Sequence, residues 1–246
     1  MNDIHNHLLY GIDDGARNID ESINLLKYYE SVGVRSIMLT PHFINESRYC
    51  SNNEEKRKLI DSIKDKTSII LYMGNEVYIS DKIIPFINSG DISTLNGSRY
   101  ILIEFPLRSR VNNYQDITFD LINNGYIPII AHPERYHYLE LEELIKLHEM
   151  GCLFQGNLSS LVGKYGKYSK HNLILLLRKK MIYVMGSDSH RYGENINLGL
   201  EKLKEIIDDS YYNELINDNF DKIVNNEVIN KYEIKKVNRL FKERIK

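Results

Sequence analysis

Residues 126–135 spell YIPIIAHPER, an almost unbroken apolar run that stops at His132 and continues into Pro133, Glu134 and Arg135. A strand with one wet face alternates apolar and polar side chains, whereas a parallel strand covered on both faces does not. The run therefore reads as a buried parallel strand that delivers polar groups at its C-terminal end. RSIMLT (35–40) and YILIEF (100–105) read the same way. On either side, short apolar runs alternate with longer stretches of helical periodicity. Strands are expected over 3–8, 34–40, 68–73, 100–105, 127–131, 153–156 and 182–185. Helices are expected over 19–31, 53–66, 81–87, 114–123, 141–149, 170–180 and 198–207. In the first helix Ile23, Leu26 and Tyr29/Glu30 recur at a spacing that suits one buried face. Seven β-then-α units predict a parallel barrel or an open doubly wound sheet. The Gly-rich dinucleotide fingerprint that would favour the open sheet is missing.

Composition sets the outer limits. The chain has 246 residues, 42% hydrophobic and 27% charged, which excludes wholesale disorder. No linker, repeat or low-complexity tract interrupts it, so residues 1–246 are expected to form one domain. Thirty-two Lys and Arg against 34 Asp and Glu leave a net charge of −2, which excludes a global basic field for nucleic acid. The basic segment 231–246, KYEIKKVNRLFKERIK, is expected to be a solvated closing helix. The N-terminus lacks a signal-peptide pattern, and no apolar run approaches the ~20 residues of a membrane span. Two cysteines, Cys50 and Cys152, are too few for a secreted disulfide framework and read as ordinary half-buried residues. A cytoplasmic protein without membrane insertion is the expectation.

The chemistry gathers at the strand ends. The first strand carries His5 and His7, with Asp13 and Asp14 just beyond; the second leads to His42, the third to Glu76. The fourth contains Glu104, the fifth leads to His132, and the seventh to Asp188 and His190. Five of eight histidines thus share one end of successive strands, and in a β/α barrel those ends converge on one face. His5 and His7, two apart on a strand, point the same way. Taken singly, an H-x-H pair or a strand-end glutamate is usually structural; His137, His148 and His171 scatter and read as structural or surface residues. Imidazoles mixed with carboxylates, and no nearby thiols, suit Mn, Fe or Zn rather than a structural zinc cage. Four acids in one pocket would repel unless cations were present. Two or three divalent ions would leave the site neutral to positive and attractive to phosphate, as in multinuclear sites with metals ~3.5–4 Å apart.

In this order H-x-H, DDGA, TPH, E, IEFP, HPER and SD-x-H resemble the polymerase and histidinol phosphatase (PHP) superfamily. More narrowly, IHNHLLYGIDDGA, YILIEFP, AHPERY and QGNLSSLVGKYGK resemble the capsular-polysaccharide protein tyrosine phosphatases of Gram-positive bacteria. The resemblance implies a distorted (β/α)7 TIM-like barrel with a trinuclear, usually manganese-dependent site that hydrolyses phosphotyrosine; Fe, Zn, Mg or Co are alternatives. It also implies that His5, His7, Asp14, His42, Glu76, Glu104, His132, Asp188 and His190 are metal ligands, with Glu76 bridging two ions. Arg135 falls on a position that binds phosphate or works as general acid, and Asp188 and His190 share its catalytic role. Arg191 is the candidate second phosphate contact, although the Arg-Pro stretch of relatives is absent. Tyr10 stands where many relatives have Pro, and SDSH replaces SDAH. The implied partner is a phosphotyrosine protein, the tyrosine-rich tail of a bacterial tyrosine kinase controlling capsule or exopolysaccharide export; an oligomer is left open.

A cysteine-dependent phosphatase needs an Arg six residues after its thiolate. Lys56 and Leu158 occupy those positions, so that mechanism fails. Two readings stay beside the main one: the same metal site acting on histidinol phosphate or a nucleotide, and a catalytically silent metal-binding module. In the main reading metal-bound hydroxide attacks phosphorus in line, while Arg135 offers bidentate donors that lysine could not match. Tyr10, Phe43, Phe105, Tyr136 and Tyr192 are candidates to wall a slot for the tyrosyl ring.

Overall fold

The computed structural model describes residues 1–191 and 196–234. Among the described residues there are nine parallel strands: β1 (Asn2–Asn6), β2 (Ser36–Leu39), β3 (His42–Phe43), β4 (Ile70–Met73), β5 (Glu76–Tyr78), β6 (Tyr100–Glu104), β7 (Ile127–Ala131), β8 (Leu153–Asn157) and β9 (Val184–Gly186). They follow seven strand positions, because the second and third expected strands, 34–40 and 68–73, are each followed after a break by a further short strand, β3 and β5, that was not expected. The breaks fall at Thr40-Pro41 and Gly74-Asn75. Proline has no N–H for the ladder, and a Cβ on Gly74 would lie 2.8 Å from Leu95. One sheet runs β1-β2-β4 and the other β3-β5-β6-β7-β8-β9. The ring closes where His7 N donates to the Ser189 carbonyl at 2.9 Å and Asp188 N to the His5 carbonyl at 2.8 Å. The fold is a distorted β/α barrel, not the open sheet.

Both faces of β1, β2, β6, β8 and β9 are buried, whereas β4 is only partly covered and Ile70 is exposed; the unbroken apolar runs of β2 and β6 fit that covering. In β6, Tyr100 and Leu102 pack inward with Ile4, Met38, Ile129 and Val184. Ile101 and Ile103 face outward to the helices, beside Ile37, Leu39, Ile130 and Phe154. Helices Ile19–Ser31 and Tyr114–Asn123 have the expected bounds. Helix Gly166–Arg178 begins four residues earlier than its periodicity suggested, and helix Asn53–Ile63 ends early in a 3-10 turn. Short helices at Leu158–Leu161, Asp209–Asn213 and Asn219–Val224 were not foreseen.

The far end of the barrel is covered by helix Asn219–Val224, whose Phe220 and Ile223 enter the inner core. An extended strap follows: Tyr100 OH donates to the Glu227 carbonyl at 2.6 Å, and Tyr232 N donates to Tyr183 OH at 3.0 Å. The expected closing helix is corrected here, because residues 231–234 are not helical. Its remainder, 235–246, lies outside the described residues, as does Tyr192. Among the described residues no helix is long and apolar enough to cross a membrane.

Candidate metal centre

All nine candidate ligands converge at the C-terminal end of the barrel, where such folds build their sites. His5 on β1 and His7 directly after it meet on one side, with His5 Nε2 3.2 Å from His7 Nε2. The β1 strand can approach β9 closely because Gly186 has no side chain; a Cβ there would lie 2.6 Å from His5 Cβ. Register sets His42 beside Glu76 across β3 and β5, and Tyr78 beside Glu104 across β5 and β6. His132 and Asp188 leave their strands with φ of +32° and +51°. These left-handed conformations cost free energy in non-glycine residues and cluster at functional sites.

Glu76 occupies the centre. Its Oε2 is 3.2 Å from His5 Nε2, 3.3 Å from His7 Nε2 and 3.0 Å from His42 Nδ1, while Oε1 is 3.1 Å from His132 Nε2. Asp14 Oδ1 lies 3.3 Å from His190 Nε2 and 3.6 Å from His42 Nε2. Three ligand groups have donor atoms within 4.8 Å of one another: His7, Asp14, His42 and His190; His5, His7 and Glu76; His42, Glu76 and Glu104. His7, His42 and Glu76 each belong to two of them. Buried Glu76 Oε2 and His42 Nδ1 have no hydrogen-bond partner despite their 3.0 Å separation. The carboxylate oxygen is thus set among three imidazoles without a directed hydrogen bond to any of them. Divalent cations would satisfy both atoms, and the mixed imidazole–carboxylate set is chemically suited to them.

The electrostatics agree. Burial and the neighbouring Glu76 carboxylate push Glu104 up to about 8. Burial opposes the charged form of His5, yet Glu76 and Asp188 outweigh it and raise the imidazole to about 9. Burial and the Arg135 charge instead lower His132 to about 4. Protons and cations thus compete for one over-acidic cluster, so ion binding releases protons.

A second layer aims the ligands. His7 Nδ1 lies 2.7 Å from Asp13 Oδ2, which also accepts from His42 N at 3.1 Å, while Gly15 N donates to Asp13 Oδ1 at 2.9 Å. A Cβ on Gly15 would fall 2.0 Å from the His7 carbonyl oxygen, so only glycine fits this turn. His5 Nδ1 lies 2.9 Å from Gln155 Oε1, and His190 Nδ1 lies 3.1 Å from the Asp188 carbonyl. In each case a proton held at Nδ1 leaves Nε2 free to face the cluster. Asp13 stood in the sequence beside Asp14 without a separate role. Gln155 and Asn157, in QGN at the end of β8, were missed because that strand end carries no titratable group.

Arg135 roofs the cluster. Its NH1 donates to Asp188 Oδ2 at 2.8 Å, and its guanidinium carbon lies 4.0 Å over the Tyr165 ring. Asp188 Oδ2 also accepts from Asn157 Nδ2 at 2.8 Å and Tyr165 OH at 3.3 Å, leaving Oδ1 to the imidazoles. Arg135 does not pair with Glu134, which is buried and accepts from Ser160 Oγ at 2.7 Å and Asn157 N at 3.1 Å. A cleft of about 580 Å³ opens above, walled by Leu107, Lys164, Tyr165 and the exposed Arg191. The expected aromatic slot is corrected: Phe43, Phe105 and Tyr136 are buried in the core, and Tyr10 turns aside to bond Ser62. Tyr165 takes that position, with Tyr49 stacked beside His42 at 6.1 Å. The cysteines are not half-buried either. Cys50 is exposed and Cys152 is fully buried, its thiol pushed up to about 12 by burial. His148 is structural, bonded to Tyr183 OH at 2.7 Å.

A sequence model described as capsular polysaccharide synthesis, CpsB/CapC, matches residues 1–225. CapC of Staphylococcus aureus is 35% identical over 226 residues, covering 87% of each chain. Tyrosine-protein phosphatase YwqE of Bacillus subtilis is 32% identical over 197 residues, 77% of each chain. The solved structures of YwqE and of CpsB from Streptococcus pneumoniae, described as unique metal-dependent tyrosine phosphatases, include a chain that superposes with TM-score 0.85. It is 28% identical and covers 97% of this chain and 100% of its own. Histidinol phosphate phosphatase of Lactococcus lactis shares the fold at TM-score 0.55 and 14% identity.

Proposed function

Because this chain belongs to the CpsB/CapC family of capsular polysaccharide synthesis, we propose that its barrel mouth is the active site of a metal-dependent protein-tyrosine phosphatase. The observation that carries this reading is the meeting of five imidazoles and four carboxylates beneath one guanidinium, with orphaned buried ligand atoms at their centre. His5, His7, Asp14, His42, Glu76, Glu104, His132, Asp188 and His190 would hold two or three divalent ions, manganese foremost. When bound, such ions supply Lewis acidity and lower the pKa of water toward neutrality.

The remaining work falls to the chain. Arg135, oriented by Asp188 and Tyr165, binds the phosphoryl oxygens through its planar fork, and its donors strengthen as charge builds there. Arg191 adds a second cation at the cleft rim. His190, at 25% the most exposed of the five ring ligands, passes a proton between the site and solvent. Tyr165 flanks the incoming tyrosyl ring and helps exclude water. The natural substrate is a phosphotyrosine protein, in our reading the tyrosine-rich tail of a kinase governing capsule export. The enzyme works in the cytoplasm, where its unpaired thiols stay reduced, and residues 1–246 act as one unit.

The test is hydrolysis of a phosphotyrosine peptide and of histidinol phosphate, with Mn²⁺ and with chelator. Mn²⁺-dependent turnover of the peptide alone supports the proposal. Turnover of histidinol phosphate alone, or none of either, overturns it.

A further inference from the structure

Beside the catalytic cleft lies a larger open groove of about 720 Å³. One wall is helix Ile19–Ser31 with the residue that leads into it. Arg17, Glu21, Asn24, Tyr28 and Ser31 line it, a spacing of 4, 3, 4, 3 that places them on one stripe of a helix. At 1.5 Å per residue the helical part from Glu21 to Ser31 is about 15 Å long, the length of four or five extended residues. His190 and Arg191 line both this groove and the catalytic cleft. The two therefore adjoin at these residues, so a chain with a side chain in the cleft has the groove beside it along the helix. Among the described residues the groove's charges are Arg17, Lys27 and Arg191 against Glu21. Glu21 is already bound by Arg17 at 2.6 Å, so the positive charge of Lys27 and Arg191 is what an incoming chain meets.

We propose that this groove receives the polypeptide flanking the phosphotyrosine, as an extended segment that carries acidic residues. The inference rests on the phosphotyrosine reading of the neighbouring cleft and adds to it a direction and a charge preference. Lys27 is exposed on the helix and touches no candidate ligand, so altering it leaves the chemistry in place.

The experiment uses the Mn²⁺-loaded full chain and three substrates: a phosphotyrosine peptide with acidic flanks, its counterpart with basic flanks, and p-nitrophenyl phosphate. The acidic peptide is expected to have the lower KM, by an amount that shrinks with salt. Lys27→Glu should raise the KM of the acidic peptide about threefold to tenfold, the scale of reversing one exposed charge contact. It should leave kcat and the p-nitrophenyl phosphate kinetics unchanged, and Asn24→Glu should act in the same direction. If both peptides are cleaved alike and Lys27→Glu moves neither, the groove does not hold substrate. An equal loss on all three substrates assigns the residue a structural role and also overturns the proposal. A change in oligomeric state on gel filtration would make the groove a contact between copies, which overturns it as well. If p-nitrophenyl phosphate is cleaved and neither peptide is, the phosphotyrosine reading itself fails, and the groove proposal with it.

Discussion

At the scale of single residues, Arg135 separates a structural from a catalytic role most cleanly. Its partner, Asp188, is 53 residues away in sequence and 2.8 Å away in space. Arg135→Ala should lower kcat/KM for a phosphotyrosine peptide by about 10²–10³, the usual effect of removing a transition-state donor. Arg135→Lys should recover only part, because the planar fork is gone. A loss below about fivefold, with metal content unchanged, would show that the guanidinium does not bind the phosphoryl group. Asp13 makes the second case. Asp13→Asn keeps the shape but weakens the hold on His7 Nδ1, so manganese affinity measured by titration calorimetry should fall about 10–100-fold. The thiols provide the contrast. Iodoacetamide should alkylate exposed Cys50 and leave turnover intact, whereas turnover lost with the thiol would implicate a different chemistry. The candidate ligands were legible from sequence because histidine and acid types recur at strand ends. Their supports were not, since Gln155 and Asn157 are common residue types whose importance is a matter of distance alone.

At the scale of elements, the breaks after β2 and β4 shape the site. Asn75 bridges them: its Nδ2 donates to the Pro41 carbonyl at 3.0 Å, and its Oδ1 accepts from Ser93 N at 2.9 Å and from Lys56 Nζ. His42 and Glu76 follow directly on Pro41 and Asn75. Lys56 projects from helix Asn53–Ile63 and is fully buried; burial, with Arg57 nearby, brings its amine down from 10.5 to about 7. Between those values the unfolded chain binds the proton and the folded chain does not, so this group makes stability rise with pH. Below pH about 7 both states are charged and the full burial penalty applies. Denaturant titrations of the chelated protein from pH 7 to 10 should show wild type gaining stability relative to Lys56→Met. A flat difference would mean that the amine keeps its proton in the fold. The outer helices were legible from their 3.6-residue period. The short strands β3 and β5 beyond the breaks were not, because each is only two or three residues long and carries a site residue, His42 or Glu76, in place of an apolar run.

At the scale of the whole molecule, the barrel is held by apolar packing on both faces of its strands, and the polar cluster occupies one end. Chelation should therefore abolish turnover while circular dichroism keeps its helical signal, with Mn²⁺ restoring activity. Loss of the signal on chelation would mean that the ions hold the fold together. Taken by itself, the sequence determined the seven βα units, the covering of both faces of the strands in RSIMLT, YILIEF and YIPIIA, and the identity of the polar residues at strand ends. These follow from local periodicity and residue type, which chain order carries. Only the tertiary structure decided that the ring closes through Ser189 and His5, and that Asp14 joins the cluster while Asp13 steadies it. It also buried Phe43, Phe105 and Tyr136, leaving Tyr165 beside the arginine. Each of these depends on which distant segments pack together and on what water can reach, and neither is a property of any one stretch of chain.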